Sequence, residues 1–200
     1  PPPPPPPPPP FPSLRRHTRL PTRSRGLGDV YKRQELPDTD DERFRQDLAR
    51  MMVEDKGYAK SDLEPRLSVE TLFNHIFVRS IIDLTVSRKG QRLFVLRYGA
   101  GSLVTREKSA LAAARVLDSS YCIPLAVVTN GRDAELLETR TGKVLASGME
   151  AVPDRNRAEE LAKEYPPSPP LTGLKRERNL RVLNAFDLEV CCRNHALGLL

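Results

Sequence analysis

Phe44, Leu48, Met51 and Met52 recur at i, i+4, i+7 and i+8 within DDERFRQDLARMMVEDK, one apolar stripe of a helix predicted over residues 40–56. Asp40 or Asp41 can cap it, acids crowd the positive end of its dipole, and Gly57 ends it. The period then changes. Three runs of strand character follow at 66–73, 77–87 and 92–98. In the second, Ile81, Ile82, Leu84 and Val86 surround a lone acid, Asp83. Arg88-Lys89-Gly90-Gln91 lies between the second and third runs and predicts an antiparallel hairpin.

Gly99-Ala100-Gly101-Ser102 breaks the pattern, and a helix is predicted over residues 105–117. Its Ala110, Ala112, Ala113 and Ala114 permit close approach to a sheet. Ile123–Val128 is continuously apolar and rich in β-branched residues, as expected of a strand covered on both faces. Thr129-Asn130-Gly131 turns the chain. Residues 134–139 and 143–146 then read as a hairpin closed around Thr141-Gly142. A short charged helix over 155–163 precedes the stiff spacer Pro166-Pro167-Ser168-Pro169-Pro170. A last amphipathic helix is predicted over 174–192, with Leu180, Leu183, Phe186 and Val190 available to dock. The order α-β-β-β-α-β-β-β, with a C-terminal helix, predicts an α/β fold with a mixed sheet flanked by helices.

Charge changes the picture only once it is localised. The chain has 32 Lys+Arg against 26 Asp+Glu, but residues 1–34 hold seven of the former and one of the latter, leaving 25 of each over 35–200. Basicity is therefore no argument for nucleic acid or an anionic membrane in the folding part. Residues 1–34 also hold 12 of the 20 prolines, including the homopolymer Pro1–Pro10, and show no helical or strand period. LPTRSRGLGDVYKRQ resembles translated adapter sequence at the ends of reading frames from metagenomic assemblies. The segment is read as a disordered artefact and set aside, the alternative being a basic tail for nucleic acid or an SH3-like partner. The domain is expected over 35–150, a charged helix and Pro-rich linker over 151–173, and the C-terminal helix over 174–200. No apolar run is long enough to span a bilayer and no secretory signal is visible. Three clustered cysteines do not make a disulfide framework, so a reduced, cytoplasmic protein is expected.

The motifs then carry a resemblance. DLARMMVEDKGYAKSDLEPRLSV, RSIIDLTVSRKGQRLFVL, ALAAARVL and IPLAVVTNGRDAELLETRTGK resemble the N-terminal domain of the R subunit of type I restriction enzymes. That domain is a prokaryotic member of the PD-(D/E)xK nuclease superfamily, and the similarity covers roughly residues 42–150. It implies a restriction-endonuclease-like fold and a DNA endonuclease centre using Mg²⁺. One Asp on the second strand and a Glu-x-Lys on the third gather two carboxylates and an ammonium at one hairpin edge, where hard oxygen ligands suit the ion. Asp83 matches the Asp, as a metal ligand. Arg97 and Gly99 stand where the resemblance expects Glu and Lys, and the family's Gln-x-x-x-Tyr is missing from ALAAARVL.

A degenerate centre is therefore expected, with Asp83 paired to Arg97, in a domain that binds DNA or a protein partner. The alternative is a live Mg²⁺-dependent endonuclease in which Glu107 and Lys108 act with Asp83, or Glu42 or Glu54 leans in from the first helix. A third reading is a scaffolding module acting through the C-terminal helix. No GxxxxGK[ST] occurs, so no nucleotide cofactor is expected. The remaining candidates have plain alternatives. Cys191-Cys192 and His195 read better as buried thiols beside a histidine than as a zinc site, which needs four ligands. His75 is expected to be a turn histidine. Thr129-Asn130-Gly131 is either a ligand site at a strand end or an ordinary turn. Lys175-Arg176-Glu177-Arg178 is expected to be a solvated helix start.

Overall fold

The computed structural model describes residues 40–73 and 76–196, with side chains over 42–71 and 78–186. Helix α1 (Asp40–Glu54) leads into β1 (Leu63–Phe73), β2 (Ile76–Arg88) and β3 (Gln91–Tyr98). Helix α2 (Val104–Val116) connects to β4 (Leu125–Thr129), β5 (Ala134–Glu138) and β6 (Val144–Ser147). Helices α3 (Arg155–Glu164) and α4 (Gly173–Ala196) follow. The order is the α-β-β-β-α-β-β-β of the sequence pattern, with its C-terminal helix.

The six strands form one mixed sheet in chain order. All neighbours are antiparallel except β3 and β4, which α2 joins by a crossover and which run parallel. The β2–β3 hairpin is closed by Lys89 and Gly90 at φ +52° and +78°, the mirror-image turn whose twist suits a two-residue loop.

Each face of the sheet has its own core. On one, Leu48 and Met52 of α1 and Ala158 and Leu161 of α3 pack on Leu84, Val86, Phe94, Leu96, Leu125, Val127 and Leu136. On the other, the alanines of α2 and Leu183 of α4 cover Val69, Ile82, Val95, Ala126, Val128 and Leu137. All five residues of β4 are buried, as its unbroken apolar run predicts for a strand with helices on both sides. Helix α4 seats Leu183 at 0 % exposure, and its buried Asn184 accepts a hydrogen bond from Thr71 Oγ1 at 2.9 Å. The proline-rich segment before it is pinned by the Cys122 N–H, which donates to Ser168 O at 2.9 Å.

Alternation fails in the middle of β2. Leu84 lies in the core under α1, but Ile82, two residues back, lies in the core under α2. Strict alternation would put both on one face. The slip falls at Asp83. Across the ladder, Pro65↔Leu84 and Leu67↔Ile82 are paired while Arg66 and Asp83 are not, and Arg66 is left-handed at φ +57°. β1 is an edge strand, which tolerates Pro65 and the interruption, and it starts at Leu63 rather than at the expected residue 66.

Candidate functional site

The site grows out of that irregularity. Asp83 is off the β1 ladder, and the β2–β3 register begins only at Leu84↔Leu96. The Tyr98 backbone N–H, on the adjoining strand, instead donates to Asp83 Oδ2 at 2.9 Å. The other oxygen, Oδ1, receives Arg45 Nε of α1 at 2.7 Å. Arg45 Nη1 lies 3.7 Å from Glu42 Oε2 one helical turn earlier, and Arg66 Nη1 reaches the same oxygen at 2.9 Å. Gln46 Nε2 donates to Glu42 Oε1 at 3.3 Å. The Asp83 and Glu42 carboxylates are only 5 % and 6 % exposed. Burial of two acids is tolerable here because each meets a guanidinium.

The guanidinium at Asp83 thus comes from Arg45, not from the expected Arg97. The reason is the period of β3. Leu96 faces the α1 core and Val95 the α2 core, so Arg97 follows Val95 to the α2 side. There its Nη1 donates to Ser109 Oγ, a hydroxyl of α2, at 2.8 Å. Gly99 continues the parallel ladder, its N–H donating to Thr129 O, and lies against the side chain of Arg106.

Glu107 and Lys108 lie on the first turns of α2, across the sheet from Arg45. Lys108 is exposed. The charge of Glu107 acts on Glu135 of β5. Three strand spacings of about 4.8 Å separate the strands of Asp83 and Glu135, so the structure does not bring Glu107 to Asp83. Burial, then the charges of Glu107 and Asp133, hold the Glu135 carboxyl above the ordinary range. Of the two acids weighed on the first helix, Glu54 is exposed and Glu42 is the one drawn in. What sequence reasoning missed is Arg45. An arginine three residues from Glu42 on a helix looks like a surface i,i+3 pair, and only the packing of α1 aims it at β2.

The loops after β3 and β4 close this end of the sheet. Phe44 of α1 stacks on Tyr98, and Gly131 sits against the Phe44 ring. Asn130 Nδ2 donates to Gly101 O at 3.0 Å, and Asn130 Oδ1 accepts the N–H groups of Arg132 and Asp133. The Asn130 side chain is thereby a turn element linking two loops. Arg176 is half-buried while Lys175, Glu177 and Arg178 are exposed at the start of α4, with Glu177 paired to Arg181. His75 and the side chains of Cys191, Cys192 and His195 lie outside the described residues. Among the described residues, no group of three or more His, Cys, Asp or Glu side chains could hold a metal ion. The residues present do not fit the Mg²⁺ that the resemblance implies: both oxygens of Asp83 already accept protein donors, one of them cationic. No described helix is long and apolar enough to cross a membrane.

A parallel β3–β4 pair joined by a helix, within an otherwise antiparallel six-stranded sheet, defines a mixed α/β domain. Residues 40–153 match the family model described as type I restriction enzyme R protein N terminus (HSDR_N), and the chain belongs to that family. Comparison with curated proteins and with solved structures gave no match.

Proposed function

We propose that the chain is an R-subunit N-terminal domain of the restriction-endonuclease-like kind whose nuclease centre no longer holds Mg²⁺, and which contacts DNA without cutting it. The observation that carries this reading is the Asp83 carboxylate, held by Arg45 Nε at 2.7 Å and the Tyr98 N–H at 2.9 Å. A guanidinium there supplies the positive charge a metal would bring, yet it cannot activate water as a bound cation does. DNA contact is supported by the family and by the arginines at the same end of the sheet, with Arg132 exposed and Arg66 and Arg106 half-buried. Because residues 35–200 balance 25 cations against 25 anions, such contact is weak and falls steeply with salt.

The test is plasmid nicking with Mg²⁺ or Mn²⁺, wild type beside Asp83→Ala, together with low-salt gel shift of Arg106→Ala/Arg132→Ala. Equal silence in nicking and weakened binding by the double variant are expected. Nicking by wild type that Asp83→Ala abolishes would overturn the proposal and restore an endonuclease.

A further inference from the structure

We infer that the free edge of β6 is a self-association surface, on which a second copy of this chain adds its own β6 antiparallel and joins the two sheets. The sheet has two edges, β1 and β6, and they are built differently. β1 carries Pro65, a left-handed Arg66 and the acids Glu64 and Glu70, features that discourage a further strand. β6 reads Val144-Leu145-Ala146-Ser147, with no proline and no charge. Val144 is 37 % exposed, and Ala146 and Ser147 are exposed with it.

Charge names the occupant. Lys143 and Glu150 bracket the strand, both exposed and both lining one cavity of about 300 Å³ between β6 and α3. They therefore stand on one face of the sheet, at opposite ends of the edge. Among the described residues neither has an ion-pair partner. An antiparallel second copy, centred between Leu145 and Ala146, sets Lys143 opposite Gly148 of that copy, close to its Glu150. The twofold axis repeats the pair, so each lysine meets the other copy's glutamate. A parallel copy would set lysine beside lysine instead. The remaining charges at the groove favour neither an acidic nor a basic peptide: Arg157 is answered by Glu160 and Glu164, and Arg140 by Glu138. Beside the axis, Leu136, Leu145 and Leu161 of the cavity wall are shielded from water. Leu145 is the extra residue of a bulge, since Val144 pairs with Leu137 and Ala146 with Leu136. The bulge confines pairing to a short stretch, so the contact is small and the dimer dissociates readily.

The experiment is sedimentation equilibrium of the full chain over a concentration series reaching millimolar, for wild type, Lys143→Glu, Glu150→Lys and the exchanged pair Lys143→Glu/Glu150→Lys. Wild type is expected to dimerise. Each single reversal is expected to weaken the dimer at least about tenfold, because the axis doubles every repulsion, and the exchange to restore it. Amide hydrogen exchange over 144–147 slows as wild-type concentration rises, a readout that requires no variant to fold. A wild type that stays monomeric up to millimolar, or a dimer indifferent to both reversals, would overturn the inference. So would single variants whose loss the exchange fails to repair. Amides over 144–147 protected equally at every concentration would also overturn it, and would mean that another segment of the chain already covers the edge.

Discussion

Phe44 of α1 and Tyr98 at the end of β3 stack with ring centroids 3.8 Å apart and planes 22° from parallel. The stack fixes where α1 crosses the sheet. It therefore fixes where Arg45, the next residue, meets Asp83.

Gly131 bounds the Cε2 edge of the Phe44 ring. It has φ +86°, and a Cβ there would lie 2.3 Å from Phe44 Cε2. Gly131→Ala is expected to cost more than about 2 kcal/mol, from left-handed backbone and overpacking together. Phe44→Ala costs about 2 kcal/mol, less than for a fully buried ring. In the double variant the clash is absent and only the backbone penalty of about 1 kcal/mol is added. Urea denaturation of the four proteins measures the coupling; strict additivity would mean that the ring and the turn do not press on each other.

Arg97→Ala is expected to act on stability and leave the Asp83 centre alone. It strips the 2.8 Å bond from Ser109, which is 2 % exposed, and a buried group losing its partner costs about 1–3 kcal/mol. Urea midpoints and gel shift together check it. A folded variant with unchanged stability but lost DNA binding would place Arg97 in the binding face.

The fold was legible because its signals are local. The helical stripe from Phe44 to Met52, the apolar run of β4 and the Lys89-Gly90 turn each name their element without reference to the rest of the chain. Asp83 also stood out, as an acid inside an apolar strand. Its partner did not, because the pairing depends on a one-residue slip opposite Arg66 and on the packing of Phe44, both long-range. Arg97 looked like the natural neighbour across the hairpin, and alternation sent it to the far face. Glu107 stands close in sequence to the degenerate motif, while the carboxyl its charge acts on, Glu135, lies on β5.

Helix α4 offers a direct test of how the apolar stripe expected at the C terminus is used. Leu183 is fully buried against the α2 side of the sheet, so Leu183→Ala is expected to cost about 2–5 kcal/mol in thermal or urea unfolding. Leu174, 71 % exposed on the same helix, is the control, and Leu174→Ala should fall within about 0.5 kcal/mol of wild type. Equal and small effects at both positions would mean that α4 does not seat as described.

The Glu107–Glu135 pair sets a pH dependence. Because the Glu135 value in the fold is raised, its protonated form is favoured there, and its contribution is complete below the ordinary glutamate range of about pH 4. That contribution is lost as pH rises through the folded value. Glu135→Gln, uncharged throughout, should melt higher than wild type at pH 7, with the difference disappearing near about pH 4. A gain that is independent of pH would point to packing rather than to charge.

The sheet's strand order carries one more consequence. Since every strand lies beside its predecessor and α2 is the only detour, the chain can assemble vectorially as it leaves the ribosome, each new strand finding its template already laid down. Helix α4 arrives after all six strands, as the panel over the α2 side. A nascent chain that has emerged only as far as α3 would present Val69, Ile82 and their neighbours bare, which makes the interval before α4 emerges one of exposure to aggregation.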